Sequence, residues 1–261
     1  MSEDPPVTSD TVASADGTSI SWSRQGAGPA LVMVHCVATS RAGTPQPTLA
    51  SALAEHFTVY TYDRRGTGLS GTTAPYAVER EFEDLAAVIS LADGPVDVYG
   101  FSSGATLALL AAEAGTAIRR LALLEPPLNH ESDPGLAMRD EAQRRIDVNL
   151  ADARHWFDTQ VVGVPEEIVA GFKPSAEDLE NTRTIVHELT FLPGTPPQRF
   201  AGVRTPTLLM ASDHTAASLL EWSAQLEEAM PHATRKVLHG GWHGVDDDTL
   251  TRTVTEYLSA G

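Results

Sequence analysis

Hydrophobic and polar positions follow two rhythms along this 261-residue chain. Near the start, Thr18-Ser19-Ile20-Ser21-Trp22 alternates with a period of two, and Ala15-Asp16-Gly17 sets it apart from Thr11-Val12-Ala13-Ser14, a pattern that predicts a hairpin over residues 11–24. Short unbroken apolar runs follow at 30–34, 57–62, 96–99 and 121–124, rich in branched or aromatic residues and fenced by Gly, Pro or charge. Runs of that kind fit strands buried on both faces. Between them, residues 47–56, 78–92 and 105–113 carry a helical period. The alternation predicts an α/β fold: a mostly parallel, doubly wound sheet with helices on both faces.

From 128 to 200 the strand pattern stops. Helices are expected over 135–161 and 165–172, and Ser175-Ala176-Glu177-Asp178 forms a capping box before a third that runs towards Leu192. This segment is expected to be an inserted helical cap or lid, with residues 1–127 and 201–261 forming the core. Strand pattern resumes at 206–210 and 234–238, with helices over 217–230 and 246–258.

One strand ends abruptly, in Val98-Tyr99-Gly100-Phe101-Ser102-Ser103-Gly104. In a tight strand-to-helix turn the central residue is strained, and glycines two positions either side remove the Cβ atoms that would collide with it. Such a G-x-S-x-G turn would project the Ser102 hydroxyl off the sheet, beside the N–H groups at the start of a helix. A hydroxyl needs an adjacent base to act as a nucleophile at neutral pH, and an imidazole suits that role.

Four segments together resemble the α/β-hydrolase fold family, in particular small bacterial serine hydrolases with a helical cap. They are Val34-His35-Cys36-Val37, Asp63-Arg64-Arg65-Gly66-Thr67-Gly68-Leu69-Ser70, the Gly100 to Gly104 turn, and Gly240-Gly241-Trp242-His243-Gly244. The resemblance implies Ser102 as nucleophile, His243 as base, and an oxyanion hole made by the backbone N–H groups of Val37 and Ser103. It also implies that Asp63 and Arg65 brace the loop beside the site. The triad acid has two candidates at strand ends, Glu125 and Asp213. In most such hydrolases the acid falls in a column that here holds Thr215, and Asp213 lies two residues early, which favours Glu125. His35, Cys36 and Phe101 are expected to line the substrate pocket. Cys36 departs from the His-Gly that this family usually carries, so that either the oxyanion loop is rebuilt or the pocket is narrowed.

The implied activity is an acyl-enzyme serine hydrolase acting on a small or medium ester, lactone or thioester. A cyclase, lyase or transferase on the same fold, or a non-enzymatic ligand receptor, stands as the alternative. Neither metal nor organic cofactor is implied: His239 and His243 form an H-x-x-x-H spacing, but a Gly-rich loop does not place the pair on one face. Asp246-Asp247-Asp248 reads as the acidic first turn of a helix.

Composition narrows the partners. A net charge of -17, from 18 basic and 35 acidic residues, argues against a nucleic-acid surface and speaks to solubility; a small-molecule substrate is what the resemblance implies. The single cysteine rules out an internal disulfide and fits a reducing compartment. The polar start, MSEDPPVTSD, and the lack of any long apolar run lead us to expect no signal peptide, no membrane association and a cytoplasmic protein. Nothing in the sequence excludes a homodimer.

Overall fold

A computed structural model of the chain describes residues 7–43, 46–128 and 135–260. The polar first six residues and residues 129–134 of the expected cap lie outside them. Eight strands form one sheet among the described residues: β1 (Thr8–Ala13), β2 (Ser19–Gln25), β3 (Ala30–Val34), β4 (Thr58–Tyr62), β5 (Val96–Phe101), β6 (Leu121–Leu124), β7 (Thr207–Ser212) and β8 (Ala233–Leu238). Their order is β1-β2-β4-β3-β5-β6-β7-β8. Only the β1/β2 and β2/β4 pairs are antiparallel; β3 pairs in parallel with both β4 and β5, and β5 to β8 continue in parallel.

The continuous apolar runs are explained by what covers the sheet. Helices α1 (Gln46–Leu53) and α10 (Asp247–Ser259) lie on one face, where Leu49, Leu53, Leu250 and Val254 pack on Leu31, Met33 and Met210. Helices α2 (Val78–Ile89), α3 (Ser103–Glu113) and α9 (Ala217–Ala229) lie on the other, where Leu85, Leu109 and Leu226 meet Val32, Val98 and Leu123. Each such side chain, taken fully out of water, contributes about 1.5–3 kcal/mol. The peripheral β1 and β8 show alternating or open burial, as do the ends of β2. Because β4 and β6 to β8 lie on opposite sides of the β3/β5 pair, the strand order reverses there, which opens a crevice at the carboxyl ends of the strands.

Between β6 and β7 the chain is helical, as the pattern predicts, but in more pieces. The expected 135–161 helix is divided into α4 (Gly135–Val148) and α5 (Leu150–Trp156), because Asn149 is extended (φ -161°) and its side chain accepts from the N–H groups of Ala151 and Asp152. Asparagine competes with the helix in this way, and here it restarts one. A turn of π-helix, Phe157–Val162, follows and ends at left-handed Gly163. The expected 165–172 helix is only α6 (Glu166–Val169). The capping box at Ser175 is present with Asp178 as its partner; α7 (Ala176–Asn181) passes through a 3₁₀ turn into α8 (Ile185–Phe191). No helix among the described residues is long and apolar enough to cross a membrane.

Buried charge ties this insertion to the core. Arg64, just past β4, bonds both carboxylate oxygens of Glu81 at 2.7 Å and reaches Glu188 on α8 at 2.6 Å. Burial pushes the Glu188 carboxyl up to about 7, against the pull of Arg64. Arg65 pairs with Asp84 and Asp16. Asp63 accepts from the backbone N–H groups of Arg41 and Leu69 and from the Arg41 guanidinium, and so braces the loop after β3.

Candidate active site

The turn after β5 has the strained geometry that its glycines allow. Ser102 sits at φ 54°, ψ -130°, its N–H donating to Leu124 O at 2.9 Å, and α3 starts at the next residue. A Cβ on Gly104 would stand 2.4 Å from the carbonyl oxygens of Val34 and His35, and one on Gly100 would stand 2.6 Å from Ala105 Cα. Neither position tolerates a side chain.

His243 follows β8 on a narrow loop closed by the Gly241–Gly244 bridge. Its ring lies between Phe101 (centroids 4.9 Å apart) and Trp242 (5.3 Å). Its Nδ1 is 2.5 Å from Glu125 Oε2. Glu125 stands immediately after β6, wholly buried, and both of its carboxylate oxygens are engaged: Oε1 accepts from the Ser212 N–H at 2.7 Å and Oε2 also accepts from the Thr215 hydroxyl at 3.0 Å. Thr215 therefore supports the carboxylate from the column where the family usually carries the acid itself.

Asp213 is not brought to His243. Its Oδ1 lies 2.7 Å from His214 Nδ1 and accepts from the Gly240 N–H at 3.0 Å; its Oδ2 lies 3.1 Å from His239 Nδ1. His239 and the Gly240 N–H hold its carboxyl well below the usual carboxylate range.

Among the described residues, only four other than glycine have positive φ: Ala38 (51°), Ser102 (54°), Glu125 (50°) and His243 (50°). Left-handed backbone costs an L-residue roughly 1–2 kcal/mol. The strain thus falls on the serine, the imidazole, the carboxylate that meets it, and the loop that follows β3.

Ser102 and His243 line one cavity of about 220 Å³ with Val37, Phe157, Leu192 and Trp222 among its walls. None of its described lining residues is Asp, Glu, Lys or Arg. The Val37 N–H is engaged: it donates to the Ser103 hydroxyl at 2.9 Å. That bond was not legible from the motif, since it depends on a hydroxyl at the residue after Ser102.

The expected pocket residues separate. Phe101 packs at a tilt against His243 but lines a neighbouring, larger cavity of about 570 Å³, and Cys36 lines that same cavity and not the one with Ser102. His35 lines neither; it is wholly buried, with its carbonyl 3.5 Å from an Arg64 nitrogen. Where β3 ends, His35 lies in the interior, and Cys36 lines the larger cavity rather than the one that holds Ser102. Burial also pushes the Cys36 thiol up from its ordinary value. At pH 7.5 iodoacetamide should therefore alkylate it at least about tenfold more slowly than free cysteine, as followed by intact mass; alkylation at the free-thiol rate would show an accessible thiolate instead. In the insertion, Phe157 and Leu192 form the wall of the Ser102 cavity, Phe172 that of the larger one, and Phe191 is core.

A model of the Alpha/beta hydrolase family matches residues 31–254. The crystal structure of an alpha/beta hydrolase from Sphaerobacter thermophilus DSM 20745 matches with a TM-score of 0.85 at 38% identity, over 96% of this chain and 100% of that one. An esterase, RhEst1, from Rhodococcus sp. ECU1013 matches at 0.72 with 20% identity over 97% and 98% of the two chains. The enol-lactonase from Burkholderia xenovorans LB400 matches at 0.72 with 21% identity over 96% and 100%. The last two are similar in fold.

Proposed function

Since the chain belongs to the alpha/beta hydrolase family, we propose that it is a serine hydrolase that cleaves a small, uncharged ester, lactone or thioester through an acyl-enzyme. The observation that carries the reading is the backbone strain shared by Ser102, Glu125 and His243, with the 2.5 Å Glu125–His243 bond and the common cavity of Ser102 and His243. Strain of this kind persists where the surrounding structure over-determines a conformation, and it gathers at functional sites.

In this reading the Ser102 hydroxyl attacks the carbonyl carbon while His243 Nε2 takes its proton. Glu125 accepts the Nδ1–H bond, fixes the tautomer and stabilises the imidazolium. The carbonyl oxygen, now an oxyanion, takes hydrogen bonds from the Ser103 N–H, which as the first of a helix has no intrahelical partner, and from the Val37 N–H. The Val37 N–H must first leave the Ser103 hydroxyl, so the hole forms as charge develops. Collapse expels the alkoxide or thiolate, which takes the proton from His243; a water activated by the same imidazole then hydrolyses the acyl-enzyme.

Cavity chemistry supports the substrate class. Walls without charge favour an apolar acyl group, and about 220 Å³ falls below the range of about 300–1,000 Å³ usual for drug-sized ligands. The helical insertion, 128–200, serves as the cap that excludes water from this space. The esterase and the enol-lactonase speak for the fold and leave the substrate open.

A fluorophosphonate probe tests the proposal. One equivalent should attach per chain, on the peptide holding Ser102, and p-nitrophenyl butyrate hydrolysis should disappear in step with labelling. An unlabelled, folded protein would overturn it.

A further inference from the structure

His239 stands four residues before His243 but takes a different partner set. It meets Asp213 and His214 from the loop after β7, and one ligand atom from each of these three lies within 4.8 Å of the others. Among the described residues this is the one group of three or more His, Cys, Asp or Glu side chains so placed.

The donors stand slightly closer together than an ion would hold them. Imidazole nitrogen and carboxylate oxygen bind zinc at about 2.0–2.2 Å, which in a tetrahedral sphere places adjacent donors roughly 3.4 Å apart. The two N···O separations here are 2.7 Å (His214 Nδ1 to Asp213 Oδ1) and 3.1 Å (His239 Nδ1 to Asp213 Oδ2). In the Nε2–H tautomer each ring turns an Nδ1 lone pair to the carboxylate, so an ion replaces the Nδ1 hydrogens of the hydrogen-bonded state with small shifts of the side chains. The frame around them is fixed: Asp213 N–H donates to Leu238 O at 2.8 Å, the Gly240 N–H donates to Asp213 Oδ1, and a Cβ on Gly240 would lie 2.2 Å from Gly244 O. All three side chains reach solvent, so water can complete the coordination sphere.

We propose that Asp213, His214 and His239 form a surface site for a divalent first-row transition ion, with Zn²⁺ the best fit. Two imidazoles and one carboxylate are a borderline-soft set, which disfavours the hard ions Mg²⁺ and Ca²⁺. The site joins the two loops that meet at the candidate triad: His214 precedes Thr215, whose hydroxyl bonds Glu125, and His239 opens the loop that carries His243. Its argument stands apart from the hydrolase reading, because it uses none of that machinery.

The competing account is a hydrogen-bonded brace that binds nothing, and a titration separates the two. Untagged protein, stripped with chelator and dialysed, is titrated with ZnCl₂ by calorimetry. One ion should bind per chain, with affinity weakened at least about tenfold in both His214→Ala and His239→Ala. His232→Ala, at an exposed histidine just before β8, and His243→Ala should keep the wild-type affinity. Absence of saturable binding, wild-type affinity in either ligand variant, or loss of binding in His243→Ala would overturn the site.

Discussion

Ser102→Ala should lower ester turnover by about five to six orders of magnitude while shifting the thermal midpoint by no more than about 3 °C. The size follows from the absence of a substitute. Cys36 lines the other cavity, and the Ser103 hydroxyl is occupied by the Val37 N–H. The small effect on stability follows from how the turn is held: Gly100 and Gly104 make room for it, and the Ser102 N–H bonds Leu124 O whatever the side chain. Alanine at φ 54° is strained no more than serine. Initial rates on p-nitrophenyl butyrate and melting by circular dichroism read the two halves separately, and turnover kept within tenfold of wild type would remove the acyl-enzyme from consideration.

The second large effect is expected at Glu125. Glu125→Gln should cost about 10²–10⁴-fold in kcat with KM changed much less, because the loss falls on the imidazolium and not on substrate binding. The amide is nearly the same shape, but its oxygen is drawn to the Ser212 N–H and its NH₂ then faces His243 Nδ1, which selects the wrong tautomer. Asp213→Asn, by contrast, should stay within about tenfold of wild type, since its carboxylate serves His214, His239 and the Gly240 N–H. Parallel kinetics on the two folded variants decide between them; a dead Asp213→Asn beside an active Glu125→Gln would assign the acid to the other loop.

The ease with which the sheet could be read follows from burial on two faces. Residues 30–34 or 121–124 leave no polar position to disguise the strand, and G-x-S-x-G announces its turn because only glycine satisfies the contacts at 100 and 104. Asn149 was missed because apolar spacing runs through it unchanged; the break lies in a side chain that captures two backbone N–H groups. Position along the chain put Glu125 and Asp213 equally at strand ends. What separates them is direction, set by the φ of 50° at Glu125 and by the Ser212 N–H that pins Oε1, and direction has no one-dimensional signature. The Arg64–Glu188 pair and the meeting of Asp213 with His239 span 124 and 26 residues, so nothing local foretells either. A loop that follows a strand need not keep the strand's alternation, so the burial of His35 and the place of Cys36 in the larger cavity have no local pattern either.

The four left-handed residues also set the protein's interests against one another. Glycine at Ser102 would relieve roughly 1–2 kcal/mol of backbone strain, a gain comparable to what a good stabilising substitution delivers in a marginally stable protein, whereas glycine at Glu125 would leave the buried Ser212 N–H without its acceptor. Heat alone, applied to a population of variants, would therefore favour the loss of the serine. Any engineering of this scaffold for endurance has to hold that position fixed and look for its gains elsewhere.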